Sequence, residues 1–124
     1  MFIHFNPNPK NQEVGECTVR ALCKITEKDW DSIFMDLVSK SFMMKDMPSS
    51  NAVVGRYLRG MGYKRHAIPD TCPDCYTVEE FANDHKYGKY LLGTGTHVVA
   101  VVDGDFYDSW DSGRKIPLYF YSKD

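Results

Sequence analysis

Two side chains with the chemistry of a nucleophile and a base stand far apart in this 124-residue chain. Cys17 lies where a glycine turn at Gly15 leads into an apolar helical pattern. A thiol at the start of a helix meets the positive end of the helix dipole, which favours the thiolate. His97 opens the apolar stretch 98–102, which predicts a strand, and an imidazole fixed at a strand end can take the thiol proton. The pair predicts acyl-transfer chemistry through a cysteine nucleophile.

Asp108 is the carboxylate best placed to orient the His97 imidazole. Asp103-Gly104 is a strong signal for a two-residue hairpin turn. With that turn, His97 and Asp108 share one face of the hairpin as diagonal neighbours, whereas Asp111 falls on the other face. A longer loop with a bulge would shift the register by one residue and weaken this choice.

The sequence predicts an α+β protein with helices first and an antiparallel sheet last. Residues 1–16 contain Asn, Pro and Gly without clean periodicity and read as an extended or turning segment. Capping residues predict the helix starts, with Thr26 to Asp29 resembling a capping box. The expected helices begin near residues 17, 30, 50 and 78, and the expected strands cover about 63–68, 89–92, 96–102, 106–110 and 116–121.

Length, composition and charge place the chain among globular proteins. The 124 residues are enough for one domain over 1–124, with 43% hydrophobic and 26% charged residues. The net charge of -2 and the absence of a basic stripe argue against a nucleic-acid partner. No apolar run approaches the roughly 18 residues of a spanning helix, and no signal-peptide pattern opens the chain. We therefore expect no membrane association and a cytoplasmic protein.

Several motifs together resemble a known family. The sequence is similar to the small papain-like cysteine peptidases of phages and bacteria, which are distant relatives of the peptidases that cut double-glycine leaders. The motifs are Asn8-Pro9, Gly15-Glu16-Cys17-Thr18-Val19-Arg20-Ala21, Trp30, Met47-Pro48-Ser49-Ser50-Asn51, Gly88-Lys89-Tyr90, the run from His97 to Gly104, and Tyr107-Asp108-Ser109-Trp110-Asp111-Ser112.

The resemblance implies a papain-like fold, with the nucleophile at the start of the first helix and the N-terminal helices packed on a C-terminal antiparallel sheet. It also implies a catalytic triad of Cys17, His97 and Asp108, no cofactor, and a phage-encoded protein acting in a bacterial host. Leader peptidases have Asp-Cys-Gly at the nucleophile, whereas this chain has Glu16-Cys17-Thr18. Their substrate preference is therefore not expected here.

An acyl-transfer site also needs donors for the developing oxyanion. The backbone N–H of Cys17 is one candidate, because the first amides of a helix have no partner within the helix. Papain-like enzymes supply a second donor from a side-chain amide shortly before the cysteine. Gln12 is the choice by spacing, and Asn11 and Asn8 remain alternatives.

We predict no catalytic role for the other three cysteines. Cys23 is expected in the core, since free cysteine is often buried. Cys72 and Cys75 form a Cys-x-x-Cys pair that supplies two of the four ligands of a structural zinc site. Three interpretations of this pair remain: a zinc-stabilised loop, a redox pair, and a loop with two solvent-near thiols. A disulfide scaffold is not expected, because a core of this size is stable without disulfides and no export signal is present.

The sequence therefore predicts a cysteine peptidase or amidase acting on a peptide or protein substrate. The alternative is a catalytically silent papain-like domain that binds a partner, such as a host factor bound by a phage protein. The bond class, the natural substrate and the oligomeric state stay open, because one triad serves peptide, isopeptide and side-chain amide bonds alike.

Overall fold

The computed structural model describes residues 1–12 and 16–123, which form four helices and six strands. The glycine turn expected at Gly15 lies outside the described residues. The helices are α1 (Cys17–Thr26), α2 (Trp30–Met44), α3 (Asn51–Gly60) and α4 (Val78–Asp84). The strands are β1 (Phe2–His4), β2 (Lys64–Ala67), β3 (Lys89–Gly93), β4 (Val98–Val102), β5 (Asp105–Asp108) and β6 (Tyr119–Ser122). The α+β class is confirmed.

The six strands form one mixed sheet in the order β1-β5-β4-β3-β6-β2. Every neighbouring pair is antiparallel except β1 and β5, which run parallel. The expectation of a purely antiparallel, C-terminal sheet is therefore wrong. The N-terminal segment contributes an edge strand because Phe2, Ile3 and His4 pair with Phe106, Tyr107 and Asp108.

Helices cover the two faces of the sheet unequally. Helices α1, α2 and α3 enclose the larger core cluster, to which Leu91, Ala100 and Tyr121 contribute from the sheet. Helix α4 covers the opposite face, where Phe81 contacts a cluster that includes Leu92, Val99, Val101 and Phe106. Because strand side chains alternate between faces, consecutive residues of β3 and β4 serve different clusters.

The caps of the helices follow the predicted residue types with one exception. The Ser50 side chain accepts a hydrogen bond from the N–H of Ala52, and Thr77 accepts one from Glu80. Helix α2 is capped by Asp29, which accepts from the N–H of Ser32, and not by Thr26 as the capping-box pattern suggested. The Thr26 hydroxyl instead donates to the Leu22 carbonyl of α1.

The hairpin that orders the candidate site has the predicted register. Val102 pairs with Asp105 and Ala100 with Tyr107. Asp103 and Gly104 have φ angles of 50° and 89°, the positive values of the hairpin turn expected for this dipeptide. This register places Asp108 on the strand beside the start of β4.

The Cys-x-x-Cys loop differs from expectation. Cys72 and Cys75 form a disulfide, so a loop with two free thiols is a wrong description of this segment. Their Cα atoms are 4.1 Å apart, because a turn brings residues three apart in sequence close together. No cluster of three or more metal-ligating side chains occurs among residues 1–12 and 16–123. None of the helices in these ranges has the length and hydropathy needed to cross a membrane.

Candidate active site

The Cys17 sulfur lies at the first residue of α1 and contacts the segment that carries the base. Its neighbours are the His97 side chain, the backbone N–H of Val98 and the Thr18 side chain. Cys17 is half-buried, whereas Cys23, two turns further along α1, is buried in the core as predicted. The helix start and the beginning of β4 therefore bring together a thiol and an imidazole that lie 80 positions apart in sequence.

His97 is held between this thiol and Asp108. Its Nε2 lies 2.6 Å from the Asp108 Oδ2, so Nδ1 is the ring nitrogen left to face the sulfur. The turn before β4 fixes the backbone at this point, since the N–H and hydroxyl of Thr94 both donate to the His97 carbonyl. With Nε2–H donating to the carboxylate, Nδ1 is free to accept the thiol proton.

Asp108 is fully buried and accepts hydrogen bonds from several further groups. The Ser112 hydroxyl donates to Oδ2 at 2.7 Å, and the Ser109 backbone N–H donates to Oδ1 at 2.8 Å. The Arg20 guanidinium, 4% exposed, forms an ion pair with Oδ1 at 3.3 Å. A buried carboxylate stays ionised only where such donors replace water.

Arg20 comes from α1, one turn after Cys17. From the sequence, Arg20 was named only as part of a motif and given no role at the site, whereas the structure buries it there. Its spacing of three from Cys17 put it on the same side of the helix, and that spacing was the available signal. Helix α1 thus supplies both the nucleophile and a cation that binds the carboxylate behind the base.

The pKa values of Cys17 and His97 favour a thiolate paired with an imidazolium. Burial raises the pKa of Cys17, but hydrogen bonds from His97 and from the Val98 backbone outweigh it, so the pKa lies below the ordinary 9.0. Burial lowers the pKa of His97, but its hydrogen bonds with Asp108 and Cys17 outweigh that effect and raise it to about 9. Burial also raises the pKa of Asp108, and the hydrogen bonds from His97 and Ser112 bring it below its usual value.

The other described thiols lack this activation. Burial, followed by the charge of Asp29, raises the pKa of Cys23 to about 12. Cys72 and Cys75 are joined in their disulfide. Among the residues the structure describes, Cys17 therefore carries the one thiol whose pKa lies below its ordinary value.

The start of α1 leaves backbone donors free beside the sulfur. No described side chain caps this helix, so the N–H groups of its first turn point outward without an intrahelical partner. The side-chain amides proposed as a second oxyanion donor belong to residues 8–12, which precede the residues that the structure does not describe. Gln12 is exposed and its carbonyl accepts from the Asn6 side chain, while the Asn8 side chain donates to Glu16 at 3.2 Å. Asn11 is exposed with a φ of 54°. Gln12 thus remains a prediction.

Glu16, the residue before the nucleophile, is buried and bound on two sides. The Trp30 indole N–H donates to its carboxylate at 2.6 Å, and Asn8 donates to the same carboxylate. These contacts tie the segment before the gap and the start of α2 to the start of α1. The sequence reading gave Glu16 no such role, because a contact between a carboxylate and an indole 14 residues away leaves no local pattern.

Trp110 covers the outer side of the imidazole. The ring centroids of Trp110 and His97 are 4.9 Å apart with the planes inclined by 41°, and Trp110 is 44% exposed. An indole in this position limits the water that reaches the imidazole while one of its faces stays open to solvent. Trp110 therefore shields the base rather than filling the core.

Two cavities meet at Thr18, next to the nucleophile. One has a volume of about 320 Å³ and a largely apolar wall that includes Trp30, Phe34, Leu37 and Pro48. The other has a volume of about 240 Å³ and a wall that includes Arg59 and Arg65. A third cavity, of about 350 Å³, is lined in part by Met61, Tyr63 and Lys123 and contains none of Cys17, His97, Asp108 or their sequence neighbours.

Comparison with known proteins yields no match: no protein family, no curated protein and no solved structure aligns significantly with this chain.

Proposed function

We propose that this protein is a papain-like cysteine peptidase or amidase that cleaves a peptide or amide bond through Cys17, His97 and Asp108. The observation that carries the proposal is the chain of contacts from the Cys17 sulfur to the imidazole and on to a fully buried carboxylate. A nucleophile, a base in contact with it and a third group that orients the base are the parts that covalent catalysis by a thiol requires.

The proposed reaction begins with attack of the Cys17 thiolate on the carbonyl carbon of the substrate. The oxyanion that forms binds the backbone N–H of Cys17 and, in our proposal, the side-chain amide of Gln12. The His97 imidazolium gives its proton to the leaving amine as the C–N bond breaks, leaving a thioester on Cys17. Neutral His97 then takes a proton from water, the resulting hydroxide attacks the thioester, and the carboxylic acid and the thiolate–imidazolium pair are released.

The two cavities beside Thr18 support a substrate that extends to both sides of the scissile bond. A peptide chain advances roughly 3.4 Å per residue, so side chains next to the bond can reach either cavity. A site built for a small amide would need only one enclosed pocket. A catalytically silent binding domain is the alternative, and the reactivity of the thiol distinguishes the two.

Alkylation by iodoacetamide, without reductant so that the disulfide stays closed, tests the proposal. At pH 7 we expect one rapidly labelled thiol per chain, and Cys17→Ser should abolish that label. Replacing His97 with alanine should slow the reaction about three- to tenfold for each pKa unit that the thiol regains. His4→Gln, which changes an exposed histidine, is the matched control and should leave the rate unchanged. Equal rates in the wild type and His97→Ala would contradict the proposal.

The pH dependence gives a second test of the same pair. As the pH falls through the lowered pKa of Cys17, the thiolate is protonated and the alkylation rate declines. In His97→Ala the decline should begin at a higher pH than in the wild type, because burial of the thiol remains while its hydrogen bond to the imidazole and the charge of the imidazole are lost. Turnover of a peptide substrate should also decline above about pH 9, where His97 loses the proton it gives to the leaving amine, whereas alkylation persists.

A further inference from the structure

The smaller of the two cavities beside Thr18 has the character of an anion site. Arg59 of α3 and Arg65 of β2 line it, together with the hydroxyl-bearing rings of Tyr119 and Tyr121. Among the residues that the structure describes, neither aspartate nor glutamate lines it. Over residues 1–12 and 16–123, no carboxylate forms an ion pair with either arginine. Within these ranges, two guanidinium groups thus line one cavity without a carboxylate partner, in a chain whose net charge is negative.

The Arg65 guanidinium contacts a neighbouring aromatic ring, and the Arg59 guanidinium lies over a glycine of α3. The Arg65 guanidinium lies 4.4 Å from the centroid of the Tyr119 ring, a distance typical of a cation–π contact. Arg59 crosses the helix surface above Gly55, where a Cβ would lie 2.9 Å from the Arg59 Nη1 and 2.9 Å from the Tyr121 hydroxyl. The planar guanidinium group is preorganised and can bind a carboxylate in a bidentate manner, with two parallel N–H···O hydrogen bonds.

The cavity is continuous with the candidate active site. Thr18 and Val98 belong to its wall, and both contact the Cys17 sulfur. The thiolate also acts on the Tyr119 hydroxyl, whose pKa is raised chiefly by burial, with the charges of Tyr121 and Cys17 adding to the effect and that of Arg65 opposing it. A group bound in this cavity therefore lies beside the bond that Cys17 would attack.

We propose that the cavity between Arg59 and Arg65 binds a carboxylate of the substrate, so that the protein selects peptides with an acidic group within about two residues of the scissile bond. This inference rests on the proposed function for its place next to the scissile bond. The carboxylate belongs to an aspartate or glutamate side chain or to the C-terminus of the peptide. The volume of about 240 Å³ accommodates either group.

Binding to a Cys17→Ala variant tests the inference without turnover. Three N-acetylated five-residue peptides serve as probes: central glutamate with an amidated C-terminus, central glutamine with an amidated C-terminus, and central glutamine with a free C-terminus. We expect at least one carboxylate-bearing peptide to bind about tenfold or more tightly than the neutral one, as a charge-assisted contact implies. Preference for the first peptide identifies a side-chain carboxylate, and preference for the third identifies the C-terminus.

Charge variants assign the preference to the cavity. In Arg59→Met/Arg65→Met the preference should disappear, and in Arg59→Lys/Arg65→Lys it should persist in weakened form. Arg56→Met, which removes an exposed arginine from another face of α3, is the matched control and should keep the full preference. Equal binding of all three peptides, or a preference that survives removal of both arginines, would overturn the inference. Since these measurements need no nucleophile, they are independent of the alkylation tests of the triad.

Discussion

At the scale of single residues, the site depends on a carboxylate that no water reaches. Asp108 is fully buried, and its partners come from three parts of the chain: His97 before β4, Ser112 after β5, and Arg20 on α1. An ionised group in such a place orients the imidazole and is itself held by the donors around it. The stability of the fold and the reactivity of the thiol are therefore coupled through one side chain.

Replacing Arg20 with methionine should lower the free energy of unfolding by about 1.5–3 kcal/mol, the contribution typical of a hydrogen bond to a charged group. Methionine fills much of the volume, so lost packing contributes little. Urea denaturation measures the change, and Cys17 alkylation of the same variant shows whether the triad keeps its geometry. Arg56→Met is the control, because this exposed arginine forms no ion pair among the described residues, and its stability should match the wild type. An Arg20→Met protein as stable as this control would show that the ion pair contributes nothing.

The contacts among Cys17, His97 and Asp108 could be predicted from the sequence because the position of each residue depended on a local signal. The expected start of a helix indicated Cys17, and the expected start of a strand indicated His97. The Asp103-Gly104 turn predicted the hairpin register that brings Asp108 close to His97. The partners of Asp108 could not be found in this way. Ser112 and Arg20 reach the carboxylate through tertiary packing, and only the helical spacing of Arg20 from Cys17 indicated its direction.

At the scale of elements, β3 and β6 control the shape of the cavity between Arg59 and Arg65. Gly93 ends β3, and the Tyr119 ring of β6 lies directly over it, in the space that a Cβ would occupy. The same ring forms the surface on which Arg65 rests. A glycine on one strand thus allows an aromatic ring of the next strand to form part of the cavity wall.

Replacing Gly93 with alanine should therefore displace Tyr119 and lower the free energy of unfolding by about 1–3 kcal/mol, the range for overpacking in a closely packed site. Thermal or urea denaturation measures this change. Gly60→Ala is the matched control, since a Cβ at the end of α3 meets no atom within 4 Å. That variant should be unchanged or more stable by about 0.5–1 kcal/mol, because alanine favours the helix. A Gly93→Ala protein with unaltered stability would show that the Tyr119 ring moves aside without cost.

The elements with strong periodicity or clear caps were predictable, and those stabilised by distant pairing were not. The caps at Ser50 and Thr77 and the hairpin turn after β4 carry their signal within a few residues. Strand β1 has only three residues, and its hydrogen bonds go to β5, about a hundred positions later. Its formation depends on a tertiary contact that no local pattern encodes.

At the scale of the whole molecule, one sheet serves both core clusters. Consecutive residues of β3 and β4 face α1–α3 on one side and α4 on the other, so neither cluster can loosen without disturbing the strands that also form the other. The candidate active site joins the first residues of α1 to the start of β4 and the end of β5. Helix α4 supports it through the same strands.

Replacing Phe81 of α4 with alanine should lower the free energy of unfolding by about 3–5 kcal/mol, the range for removing a buried phenylalanine. The loss should be visible in the fluorescence of Trp30, which packs against the core cluster on the other face of the sheet. Unfolding transitions followed by fluorescence and by far-ultraviolet circular dichroism should coincide, both in the wild type and in Phe81→Ala. A tryptophan transition that keeps its wild-type midpoint would show that the two clusters unfold separately.

The order of the residues around the sulfur also has a consequence during synthesis. The ribosome delivers Cys17 first, and roughly 80 further amino acids must be added before the partner imidazole follows. Arg59, Arg65 and the tyrosines of β6 arrive in between and afterwards. Until translation has passed Tyr121, the polypeptide lacks some of the groups that surround the sulfur and line the neighbouring cavity in the folded protein, so the candidate site is completed only when the last strand is added.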